Sequence, residues 1–188
     1  VAIVLTMTQA AQSDVAVYSD KAAWMQAAGQ VTNIDFVGYQ FGDPVLPDHY
    51  AHLGATITGQ QMGYYHTSAF VNDGEGIIAD NHTLWVHFDE PQSSVAVDYP
   101  GGIRFQLYRK GELIYTSSSF TGSLGLFTGL ISETPFDAVH LYRNGPSLSV
   151  AIDDLHFGPP IPAPGAMGVF ALAALGHRRR RRHRSLNG

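Results

Sequence analysis

Hydrophobic and polar positions alternate over long stretches of this chain. Leu84, Val86 and Phe88 alternate with Thr83, Trp85 and His87; Val95, Val97 and Tyr99 with Ala96 and Asp98; Ile103, Phe105 and Leu107 with Arg104, Gln106 and Tyr108. A period of two with one apolar face is the pattern of a half-buried antiparallel strand. Turn-forming groups separate the runs: Asn72-Asp73-Gly74, Pro100-Gly101-Gly102, Lys110-Gly111 and Asn144-Gly145-Pro146. Strands spaced in this way predict an all-β chain, an antiparallel β-sandwich of jelly-roll type. Helical spacing appears near the start, where Ala23, Trp24, Ala27 and Ala28 recur between a Ser19 N-cap and a Gly29 stop. This predicts one short N-terminal helix over 19–28, with Asp20 in the first turn, where the helix dipole favours negative charge.

The last strand of the pattern slips. Leu148, Val150 and Ile152 share one phase, and Leu155 and Phe157 take the other. One phase change demands a bulge or bend at Asp153-Asp154, and two adjacent carboxylates there must be solvated or paired with a cation.

Both ends of the chain depart from the strand pattern. Val1–Met7 is apolar and runs into Thr8-Gln9-Ala10-Ala11-Gln12-Ser13, as the end of a secretory signal peptide does; the same run also reads as a first β-strand. Near the other end, Gly158-Pro159-Pro160-Ile161-Pro162-Ala163-Pro164 cannot be helix or central strand. The apolar Gly165–Gly176 that follows predicts a C-terminal hydrophobic helix, and Arg178, Arg179, Arg180, Arg181 and Arg182 close it. Even the 16 residues Ile161–Gly176 reach only about 24 Å as helix, against roughly 30 Å of bilayer hydrocarbon. A transient membrane insertion with the arginines on the cytoplasmic side suits that length better than a permanent anchor.

This tripartite tail resembles the PEP-CTERM sorting signal of bacterial exopolysaccharide producers, with Pro162-Ala163-Pro164 standing where that signal has Pro-Glu-Pro. Two stretches add to the resemblance: Val150–Gly158 is similar to the closing strand usual in such proteins, and Tyr18–Trp24 leading to Ile34-Asp35-Phe36 to their opening. The resemblance implies an exported protein of the cell envelope or extracellular matrix, processed by an exosortase-type enzyme. It assigns no biochemical activity. The chain then divides into a signal-peptide remnant (1–13), a β-sandwich ectodomain (14–158) and a sorting signal (159–188).

Charge sharpens this division. The formal net charge of −5 splits into −11 on the body and +6 on the six arginines of the tail. So acidic a body lacks the basic face that nucleic-acid phosphates require. With no cysteine, disulfides, thiolate metal sites and a cysteine nucleophile are all excluded.

Candidate chemistry is sparse. Calcium needs hard oxygen ligands. Asp35 on the first long strand and Asp153 or Asp154 on the last would supply them if those strands are neighbours, giving a structural ion; turn-capping or solvated carboxylates are the alternative reading. Asn72–Gly76 lacks EF-hand spacing, His49 and His52 sit three apart in a Pro- and Gly-flanked segment, and neither a His-Glu-x-x-His nor a Gly-x-Ser-x-Gly motif occurs. Ser93, Ser94 and Ser117–Ser119 have no paired base signature, so the reading is non-enzymatic. Sugar-binding sites use aromatic platforms, and Trp85 and Tyr108 both fall on the outward phase of their strands, where a large ring needs a reason; Tyr64, Tyr65 and His66 form a second aromatic group. The expectation is a non-catalytic envelope or matrix protein, with a calcium-dependent carbohydrate-binding module acting on exopolysaccharide as the alternative. On that alternative Trp85 would be exposed; otherwise the helix or a loop covers it.

Overall fold

The computed structural model describes residues 14–66, 74–99, 101–118, 126–143 and 149–160. The segments expected to form a signal-peptide remnant (1–13) and a C-terminal hydrophobic helix, and the expected sorting-signal residues Pro162–Pro164 and Arg178–Arg182, lie outside the described residues. Among the described residues no helix is long and apolar enough to cross a membrane.

The described chain runs β1 (Val15–Tyr18), α1 (Lys21–Ala28), β2 (Thr32–Ile34), a 3-10 turn (Ala51–Leu53), β3 (Ala55–His66), β4 (Glu75–Tyr99), β5 (Arg104–Arg109), β6 (Glu112–Thr116), β7 (Leu126–Tyr142), β8 (Ser149–Ile152) and β9 (Leu155–Gly158). All strand pairs are antiparallel. They form one sheet in the order β2-β9-β4-β7-β5-β6, with β1 on β7 and with β3 and β8 on β4.

Two long strands turn that sheet into two layers. The first part of β4 pairs with β3, β8 and the end of β7, whereas Ser94–Tyr99 pairs with β9 and the start of β7. The sequence pattern predicts separate strands around Leu84–Phe88 and Val95–Tyr99; the structure joins them through Pro91. A proline is tolerated there because the ladder shifts register between His87 and Ser94, where no regular N–H partner is needed. The inward residues of both layers, among them Ile57, Leu84, Val86, Phe105, Leu107 and Leu141 from one and Ile34, Val95, Val97, Leu130 and Phe157 from the other, form a single buried core.

The phase slip lies where it was expected. Asp153 and Asp154 separate β8 from β9; β8 pairs with Ile77–Asp80 in the first layer and β9 with Ser94–Val97 in the second. The change of face is thus the crossing between layers. Lys110-Gly111 makes the tight β5–β6 hairpin, with positive φ at both residues (53° and 80°) and Arg109 opposite Glu112, as two-residue hairpins require.

The helix begins two residues later than the periodicity suggests. Asp20, not Ser19, is the N-cap, its carboxylate accepting from the Ala23 N–H at 2.7 Å. Gly29 ends the helix at φ 75°. Trp24 and Ala28 are buried against Ala96 on the outer face of the second layer. The helix therefore covers that layer, and among the described residues no helix lies on the outer face of the first one.

Candidate functional site

Alternation on β4, β5 and β7 decides what the open face carries. With Leu84, Val86, Phe105, Leu107, Val139 and Leu141 turned inward, Trp85, Gln106, Tyr108, His140 and Tyr142 must turn outward. Register then aligns Thr58, Trp85, His140, Gln106 and Thr116 in one row across β3, β4, β7, β5 and β6. His87, Ala138 and Tyr108 lie in the next row, and Thr83, Tyr142 and Arg104 in the row on the other side.

The rings touch. His140 lies flat on one face of Trp85, with centroids 4.3 Å apart and planes within 8°, and His87 is parallel to Trp85 at 5.8 Å. Tyr142 continues the stack beyond His140 at 5.2 Å, and Tyr108 leans against Trp85 at 5.0 Å and 48°. Gln106 ties the group together: its side-chain oxygen accepts from the Tyr108 hydroxyl at 3.1 Å and from His140 Nδ1 at 2.9 Å. An acceptor on Nδ1 puts the ring proton there, leaving Nε2 as a buried lone pair without a hydrogen-bond partner. Burial lowers the His140 pKa from its usual value, because the charged ring would lose its water. Trp85, Tyr108, His140 and Tyr142 are half-buried and His87 is exposed. Trp85 and Tyr108, chosen from the sequence, are thus brought into contact on one face; His87, His140 and Tyr142 join them, and only their outward phase could have signalled it.

The second aromatic group divides. Tyr64 is buried, stacked on Tyr39 at 3.9 Å, and its hydroxyl contacts those of Tyr50 at 2.8 Å and His49 Nδ1 at 3.0 Å. Burial raises the pKa of both the Tyr50 and the Tyr64 hydroxyl. Tyr65 faces solvent beside Phe41, centroids 4.8 Å apart, and His66 is also exposed.

The carboxylates assemble differently from the expected calcium set. β2 does pair with β9, and Asp35 and Asp154 flank the Ile34–Leu155 pair. Asp35 is exposed and caps its own turn, accepting from the Val37 N–H at 3.3 Å. Asp153 and Asp154 are buried. Asp154 meets Asp98 and His156 instead: among the described residues these three form a group whose potential ligand atoms all lie within 4.8 Å of one another. Lys21 Nζ reaches in from the first turn of α1, 2.7 Å from Asp98 Oδ2 and 3.2 Å from Asp154 Oδ2. Burial pushes the Asp98 carboxyl up, but His156 and Lys21 outweigh it and hold its pKa below the usual range; at Asp154 burial wins and the pKa is raised. Among the described residues His49 and His52 belong to no such group. The serines have structural roles: Ser93 Oγ donates to the Pro159 carbonyl, and Ser117 Oγ accepts from the Phe105 N–H.

No family model and no curated protein matches this chain. Among solved structures it is similar to a mutant of CBM29-2, a family 29 carbohydrate-binding module, at 14% identity and TM-score 0.43, over 72% of this chain and 99% of that one. It is also similar to CBM86, a low-affinity xylan-binding module from Roseburia intestinalis (11%, TM-score 0.39, 69% and 95%). A third is the family 32 module of C. perfringens NanJ, solved with galactose (11%, TM-score 0.36, 71% and 96%). Similarity at this level carries no argument about what the present chain binds.

Proposed function

We propose that this chain is an exported, non-catalytic β-sandwich protein that binds extracellular polysaccharide on the outer face of β4, β5 and β7. The observation that carries the reading is the meeting of Trp85 with Tyr108 and His140 on the one outer face that the helix leaves open. Sugars present apolar C–H faces ringed by hydroxyls. A half-exposed cluster of rings bordered by Thr58, Thr83, Gln106, Arg104 and Thr116 offers both the apolar surface and the hydrogen-bonding groups such a ligand needs. The cluster has the size of a hot spot, in which a few aromatic side chains supply most of the binding energy.

Export rests on a separate observation, the Pro162-Ala163-Pro164, apolar run and Arg178–Arg182 order of the tail. In this reading an exosortase-type enzyme removes the arginines and leaves the ectodomain in the envelope or matrix, where polysaccharide is the abundant partner. Affinity electrophoresis of the full chain in gels containing bacterial exopolysaccharide, mannan or xylan tests the binding half. Retardation that falls with added soluble glycan is expected. Migration unchanged in every gel would overturn it. Intact-mass measurement of the mature protein from its host tests the other half, with a chain ending near Pro164 expected and retention of the arginines contradicting it.

A further inference from the structure

We propose that Asp98, Asp154 and His156 form a binding site for a divalent transition-metal ion, which the ammonium of Lys21 closes when no metal is bound. The three side chains converge because β4 and β9 are paired at this point. Ala96 is opposite His156, Asp98 lies two residues along the same face from Ala96, and the Asp98 N–H donates to the Asp154 carbonyl at 3.1 Å.

His156 is the observation that points to a ligand. It is only 3% exposed, yet neither ring nitrogen has a hydrogen-bond partner. Its Nε2 is directed at both carboxylates, 3.6 Å from Asp98 Oδ2 and 3.9 Å from Asp154 Oδ2. Those separations exceed hydrogen-bond length but lie within ion-pair range, so the buried ring pairs with the carboxylates when protonated and makes no hydrogen bond when neutral, which is costly. They do suit a shared ion: donors held at about 2.0–2.2 Å from one metal lie at most about 4.4 Å apart.

The donor set selects the ion. One imidazole nitrogen and two carboxylate oxygens fit zinc, cobalt, manganese or iron(II), whereas calcium prefers six or more oxygens. The site therefore differs in donors and in metal class from the calcium ion expected on Asp35, Asp153 and Asp154.

Lys21 is placed to act as the gate. Its ammonium bridges the two carboxylates that would hold the ion, but its side chain is 34% exposed and hangs from the first turn of α1. It can swing into water without disturbing the backbone, and its charge there is lost to a divalent ion that replaces it.

The test is titration of the untagged full chain with Co2+, read by visible absorption and by metal content after gel filtration. One Co2+ per chain is expected, with the absorption of a site that carries a nitrogen ligand. Lys21→Met should bind Co2+ at least about tenfold more tightly, because a unit charge this near a partly buried ion outweighs that factor. His156→Gln should abolish the absorption while near-ultraviolet circular dichroism shows the fold intact. Three results would each overturn the proposal: no uptake by the native chain, uptake by the Lys21→Met variant alone, or a signal that survives His156→Gln and so belongs to other histidines. If the His156 variant does not fold, the Lys21 variant decides, and an affinity equal to that of the native chain would count against the site.

Discussion

The two outer faces of this sandwich each carry one of the chain's two tryptophans, and they treat it in opposite ways. On the second layer Trp24 comes from the helix and packs down onto the sheet. The sheet makes room for it: Ala96 pairs with Gly129, and a Cβ on Gly129 would lie 2.3 Å from Trp24 Cδ1. Its indole N–H donates to the Leu130 carbonyl at 3.2 Å, and its residue exposure is 0%. On the first layer Trp85 comes from the sheet itself, and among the described residues no helix covers it. It is held by His140, His87 and Tyr108 at its sides and remains half-buried. Small residues mark the face that is covered, and large rings at outward positions mark the face that is open.

Removing Trp24 should produce the largest effect on stability. Trp24→Ala strips α1 of its anchor and is expected to cost about 3–5 kcal/mol, read as a fall in the urea midpoint. Gly129→Ala attacks the same contact from beneath, where the strand backbone cannot give way, and should cost about 1–3 kcal/mol or more by overpacking. A loss near zero in both variants would mean that the helix is not seated on Ala96 and Gly129.

Trp85→Ala should reverse the ranking. It is expected to cost only about 1 kcal/mol of stability, the ordinary size of a single-residue effect. In glycan binding it should remove about 2 kcal/mol or more, as loss of a central aromatic contact does. Equal losses in stability for Trp24→Ala and Trp85→Ala would erase the distinction between the faces.

A smaller effect is expected from pH. Burial depresses the His140 pKa in the folded state, so below about 6.5 the unfolded chain takes up a proton that the folded chain resists. The stability contributed by neutral His140 is therefore full above that pH and is lost as the pH falls toward the folded-state value. The Trp85 stack should loosen over the same range, seen as a change in tryptophan fluorescence before global unfolding. His140→Gln should flatten that change; if it does not, another group titrates there.

Much of this arrangement was legible in the chain itself. Period-two runs placed Leu84–Phe88, Val95–Tyr99 and Ile103–Leu107 as strands with the correct faces inward, and the slip at Asp153-Asp154 marked the crossing between layers. Trp85 and Tyr108 were recognisable because a large ring on an outward phase violates the simple pattern. His140 was not, since a lone histidine on a strand carries no signal until register sets it opposite Trp85. Asp154 stood out at the phase slip, but its partners Lys21, Asp98 and His156 were still less legible: Lys21 lies 77 and 133 residues from Asp98 and Asp154, and only the seating of α1 brings them together. Asp35 has a local role of its own. The chain turns immediately after β2, with Phe36 at φ 58°, and the Asp35 side chain serves that turn.

The most direct test of the central claim uses the two indoles as reporters of the two faces. Their N–H resonances can be followed by 15N NMR while a soluble oligosaccharide of the polysaccharide that retards the chain is titrated in, with assignments taken from Trp24→Phe and Trp85→Phe. The Trp85 signal is expected to shift and saturate with the Tyr108, His140 and Gln106 resonances, while the Trp24 signal stays in place. A saturating shift at Trp24 with Trp85 unmoved, or no shift at either, would contradict it.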